Sequence, residues 1–162
     1  TLFCRLQRAK VQVEILGNHP QGIYEVIRDL AQYKRPMLVT ETGVDGSKDP
    51  EAIDAWLLKT MAWTRQAMAD GFDVRGYYYW SLFDNYEWNI GLHMQMGLYE
   101  IDPKDPSKKR VARSAVESYR QIVSGNALDP ARLQKLLLGV DKEAFAPLRK
   151  RSWNMSRQSA TL

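Results

Sequence analysis

The sequence predicts an α/β fold with parallel strands, and three observations carry that reading. Residues 37–40 and 74–82 are compact apolar and aromatic runs that read as strands. A long helical pattern over residues 49–71 lies between them, as a crossover between parallel strands requires. Polar and acidic residues follow both runs, at the strand C-termini where α/β folds place their chemistry.

The elements follow in chain order. Residues 11–16 alternate and fit a short strand. Ile23, Val26, Ile27 and Leu30 share one helical face, so residues 21–33 read as an amphipathic helix that Pro36 ends. Met37, Leu38, Val39 and Thr40 fit a strand buried on both faces, and Glu41, Thr42 and Gly43 leave its end. Asp49 and Pro50 form a helix start; Ile53, Leu57, Met61, Thr64 and Met68 continue one face, and Gly71 stops it. Residues 74–82 read as a second buried strand, and residues 97–101 as a short extra one. A charged loop at 103–110 precedes a helix marked by Val116, Tyr119, Ile122 and Val123 and closed by Gly125. Asp129 and Pro130 start one more helix, with Leu133, Leu136 and Leu137, ending at Gly139.

With 162 residues and 44% hydrophobic content, the chain has room for one domain and a tail. No apolar run is long enough to cross a membrane, and one cysteine, Cys4, excludes an intrachain disulfide. Residues 1–125 hold 16 basic and 16 acidic side chains, so the whole net charge of +4 falls in residues 126–162. We therefore divide the chain into residues 1–125 and a basic extension, 126–162, expected to form a helix and then disorder. The cluster Arg149, Lys150 and Arg151 reads as a solvated terminus before it reads as a site for RNA or anionic lipid, because short basic runs are weak motifs. Neither a nucleic acid nor a membrane is expected as partner. Localisation stays open: the single cysteine and the absence of a visible leader lean towards the cytoplasm. His19 and His93 lack metal-ligand companions, and no metal or cofactor is expected.

Two places can carry chemistry. Glu41 sits at the end of an apolar strand, where its carboxylate is held on a rigid element at the mouth of the fold. The nine residues from Trp80 to Trp88 hold two tryptophans among Ser81, Asp84, Asn85 and Glu87. Polar groups this dense make a poor core, since each needs a partner when buried. Indole faces and carboxylates instead suit sugar rings and paired hydroxyls.

These residues resemble glycoside hydrolase family 1, the β-glucosidase and β-galactosidase family. Val39-Thr40-Glu41-Thr42-Gly43 is similar to its nucleophile motif. Trp80-Ser81-Leu82-Phe83-Asp84-Asn85-Tyr86-Glu87-Trp88, with Gly91 and Gly97-Leu98-Tyr99, is similar to its C-terminal signature. His19-Pro20-Gln21-Gly22-Ile23 is similar to the segment before the nucleophile strand. The resemblance runs over roughly residues 13–123, in register. It implies a retaining β-glycosidase in which Glu41 is the nucleophile, Trp80 the platform under the sugar, Glu87 the carboxylate that grips the hydroxyls, and Trp88 an indole donor to a hydroxyl. It also implies the C-terminal part of a (β/α)8 TIM barrel, about its last two βα units, since a whole barrel needs about 250 residues.

The family's acid/base glutamate lies in an Asn-Glu-Pro motif that this chain lacks. The expected partner is therefore the missing N-terminal barrel segment, in the same longer chain or in trans. The chain by itself is expected to be inactive, and a non-catalytic carbohydrate-binding or pseudoenzyme fragment is the alternative. Thr42 stands where the family usually has Asn, and Gln95-Met96 where it usually has Arg-Phe; both bear on substrate preference.

Overall fold

A computed structural model describes residues 19–128 and Ala131. The expected strand at 11–16, the helix from Asp129 and the rest of the basic extension lie outside the described residues.

Helix α1, Gly22–Leu30, continues as a 3-10 turn, Ala31–Tyr33, and stops where Lys34 takes a positive φ of 51°. Its Ile27 is buried against Ala67 and Val74, while Ile23 and Tyr24 pack on Trp63 and its neighbours. Strand β1, Met37–Val39, pairs in parallel with β2, Val74–Tyr77. Helix α2, Glu51–Ala69, connects them. Asp49 accepts the Glu51 N–H at 3.1 Å, and Gly71 with φ of 96° follows the last turn, so both ends fall where the sequence set them. α2 packs against α1, the sheet and the last helix, and is buried almost all round: Ile53, Leu57, Ala62 and Ala67 are fully enclosed. Met68, in the final turn, is exposed.

Regular pairing in β2 ends at Tyr77, short of the expected 82. Beyond it the Tyr78 N–H donates to the Val39 carbonyl and the Trp80 N–H to the Thr42 carbonyl. Three steps on one strand thus match two on the other, and the ladder loses its register as at a bulge.

The expectation that both strands are buried on both faces fails. Leu38 is 56% exposed and Tyr78 58%. Among the described residues the sheet has two strands. Met37, Val39, Tyr77 and Tyr79 pack towards the helices, and nothing described covers the other side. No closed barrel forms among the described residues.

The short extra strand is β3, Tyr99–Ile101, and it forms a hairpin with β4, Arg110–Ala112. Arg110, expected at the end of the charged loop, is therefore the first residue of β4. All three β4 side chains are exposed, so pairing rests on the backbone and leaves no apolar pattern to read. Helix α3, Ser114–Gly125, buries Ala115, Ser118 and Ile122 and ends at Asn126, which takes a positive φ of 49°. Ser118 donates to Asp54 of α2, and Ser114 to Glu51, joining the two helices along their first turns.

Candidate active site

Glu41 lies two residues past β1 and is exposed. Its position depends on Thr42, whose hydroxyl accepts the Trp56 indole N–H at 2.9 Å. Thr60 donates to the Trp56 carbonyl at 2.8 Å, and its hydroxyl meets the Tyr77 hydroxyl at 2.7 Å. Burial pushes the Tyr77 phenol well above its usual range, opposed in part by Thr60 and Thr42, so it stays protonated in this network. Thr42 is thus tied to the helix side, while its neighbour Glu41 is exposed. Gly43 is needed for space: a Cβ there would sit 2.0 Å from the Trp80 carbonyl oxygen.

Trp80 follows β2, across from Thr42, and the two are joined by the 2.8 Å bond from the Trp80 N–H. The Trp80–Ser81 peptide is cis. The Trp80 indole N–H donates to Glu87 Oε1 at 3.1 Å. Glu87 itself is pinned by a backbone pair with Gly91, whose φ is 76°. The structure therefore brings Trp80 and Glu87 into contact and sets Glu41 at the end of the adjacent strand. Trp88 has a positive φ of 39° and stands 88% exposed, outside that pair.

The loops behind these residues are joined as well. Asp45, just past Gly43, accepts the Gln95 N–H at 3.0 Å and the Ser47 N–H at 2.9 Å. Burial alone would raise its carboxyl, but these donors, the Ser47 hydroxyl and Lys48 hold it below the ordinary carboxylate value. A cavity of about 190 Å³ opens beside Asn85, Gln95 and Lys108, and neither Glu41 nor Trp80 lines it. Among the described residues no group of three His, Cys, Asp or Glu side chains could hold a metal.

Trp56 and Thr60 lie off the helix face expected from the sequence, Tyr77 lies within the expected buried strand, and none of them, nor Arg113, stood out as a site residue. Arg113 forms a buried pair with Asp84. Arg113 takes the N-cap position of α3 without a side-chain hydrogen bond to the helix, its guanidinium turned instead to Asp84, distant in sequence.

Parallel β1 and β2, with α2 packed on their shared sheet and candidate site residues past both C-terminal ends, define an α/β enzyme-type architecture. The family model for glycosyl hydrolase family 1 matches residues 7–128, and the chain belongs to that family. A β-galactosidase of Pyrococcus woesei is 35% identical over 122 residues, which are 75% of this chain and 23% of that protein. The lactase/phlorizin hydrolase of Homo sapiens is 33% identical over 68% of this chain and 6% of its own length. The solved β-glycosidase from Pyrococcus horikoshii superposes with a TM-score of 0.69 at 31% identity, over 76% of this chain and 28% of its own. The chain thus spans about a quarter or less of these relatives' own length, and the solved β-glycosidases of this family that it resembles are TIM barrels.

Proposed function

We propose that this chain carries the nucleophile and part of the sugar site of a retaining β-glycosidase, and corresponds to the last two βα units of its barrel. One observation carries the proposal: Glu41 and Trp80 leave the C-terminal ends of adjacent parallel strands, and Trp80 holds Glu87 by its indole. In this reading the sugar ring lies on Trp80, with its hydroxyls on Glu87 and Trp88. Glu41 attacks the anomeric carbon as the glycosidic oxygen departs with a proton from the acid. A glycosyl ester on Glu41 forms, and water, deprotonated by the same acid/base group, releases the sugar and restores the carboxylate. The acid/base group belongs to the preceding barrel segment, about 5–5.5 Å from Glu41 in a retaining site. The substrates are β-glucosides or related β-glycosides.

The test joins the chain to its preceding segment and adds a 2-fluoro-β-glucoside with a good leaving group. The sugar mass should appear on the peptide that contains Glu41. A label on another residue, or no label with turnover intact, rejects the assignment.

For the chain by itself, the absence of an Asn-Glu-Pro motif supports a second reading, a non-catalytic carbohydrate-binding fragment. Turnover of an aryl β-glucoside by the isolated chain would reject that reading.

A further inference from the structure

We infer that Arg113 is a positioning residue for the candidate sugar site, acting through Asp84 and Gln95; the inference deepens the reading above and names the device that holds its loop. Residues 84 to 97 form one excursion from the fold, and they carry Glu87 and Trp88. Within it, the Glu87–Gly91 pair is local and says nothing of how the loop is aimed. The aim is set at its base. Arg113 Nη1 donates to Asp84 Oδ1 at 3.0 Å and to the Gly97 carbonyl at 2.6 Å. Its Nη2 donates to Asp84 Oδ2 at 2.8 Å and to Gln95 Oε1 at 3.3 Å. One planar fork therefore grips both ends of the excursion, a geometry that a lysine point charge cannot reproduce.

Asp84 completes the closure. Its carboxylate also accepts the Gly97 N–H at 2.8 Å and the Ile101 N–H at 3.4 Å. The two side chains are 5% and 8% exposed, so the contact is shielded from water and salt. Gly97 has no room for a side chain, because a Cβ would meet the Asp84 nitrogen at 2.3 Å.

Gln95 extends the device to the other strand end. Its N–H is held by Asp45, and its carbonyl accepts the Gly46 N–H at 2.8 Å. Asp45 and Gly46 follow Glu41–Gly43 with only Val44 between. Arg113 thus stands where the loop bearing Glu87 meets the segment bearing Glu41, although it touches neither carboxylate.

The experiment follows the five tryptophan indole N–H resonances of the full chain, with Trp80 assigned from Trp80→Phe. In Arg113→Lys, the Trp80 resonance should move towards its position in Glu87→Gln, and its exchange with water should rise about tenfold. The resonances of Trp56, bonded to Thr42, and of buried Trp63 should stay in place. An unmoved Trp80, or equal movement of all three, overturns the inference. Should Arg113→Lys not fold, Gln95→Ala decides: it removes one contact and leaves the Asp84 pair, and an unmoved Trp80 there also overturns the inference. Adding methyl β-glucoside to the parent chain tests the functional reading separately. Absence of any response counts against a sugar site, while the Trp80 comparison still decides the role of Arg113.

Discussion

The Trp80 indole N–H and the Glu87 carboxylate are hydrogen-bonded at 3.1 Å across seven residues of chain. A side chain that would stack on a sugar and one that would grip its hydroxyls are thus preorganised as one unit. Hydrogen bonds to charged groups contribute about 1.5–3 kcal/mol. Glu87→Gln should therefore weaken glycoside binding by roughly ten- to a hundredfold. Trp80→Phe, which keeps an aromatic face and loses the donor, should cost less. Isothermal titration of both variants checks the order, and an unchanged affinity in Glu87→Gln removes Glu87 from the site.

The Gly43 position predicts a second effect. A Cβ 2.0 Å from the Trp80 carbonyl must displace backbone, and no side chain can give way instead. Gly43→Ala should lower stability by about 1–3 kcal/mol, the range of overpacked sites. Because Trp80 is the residue displaced, near-ultraviolet dichroism should change along with the melting temperature. A variant with parental melting and parental dichroism contradicts the close approach.

Legibility in the sequence followed where side chains met a periodic environment. α2 was readable at both ends because Asp49 and Gly71 do local work, but its one apolar face foretold neither burial almost all round nor the exposure of Met68. Glu41, Trp80 and Glu87 stand out as candidates because strand ends and dense aromatic-polar clusters are local patterns. β4 could not, since its side chains are all exposed and only its backbone pairs. Arg113 and Asp84 lie 29 residues apart and show their meaning only when folding brings them together. The apolar runs at 37–40 and 74–82 were read as doubly buried, and the exposure of Leu38 and Tyr78 shows what composition hides: it states that a face seeks cover, not which chain covers it.

That exposure yields a third prediction. Leu57 is fully enclosed, so Leu57→Ala should cost about 2–5 kcal/mol in the chain by itself. Leu38→Ala should cost at most about 0.5 kcal/mol there. Joined to the preceding barrel segment, the Leu38 face is proposed to become interior, and the same substitution should then approach the cost of a core truncation. Denaturant titrations of both variants, with and without that segment, measure the difference. A Leu38 effect that stays small in the longer chain argues that the barrel does not close over this face.

Acid should release the link between the two loops, and Asp45 fixes the direction. Its carboxyl lies below the ordinary value of 3.8 because the Gln95 and Ser47 donors and Lys48 outweigh burial. A group whose folded pKa is lower than its unfolded pKa contributes stability fully above the unfolded value, and loses it as pH falls through the folded one. The Asp45–Gln95 anchor should therefore hold from neutrality down to about pH 4 and let go below it. Asp45→Asn removes the titrating group and keeps one acceptor oxygen. That variant should be less stable than the parent at pH 7, and the gap should narrow as pH falls below about 4. Thermal melts of both chains across this range measure the gap, and a gap that stays constant or widens in acid excludes Asp45 as the titrating anchor.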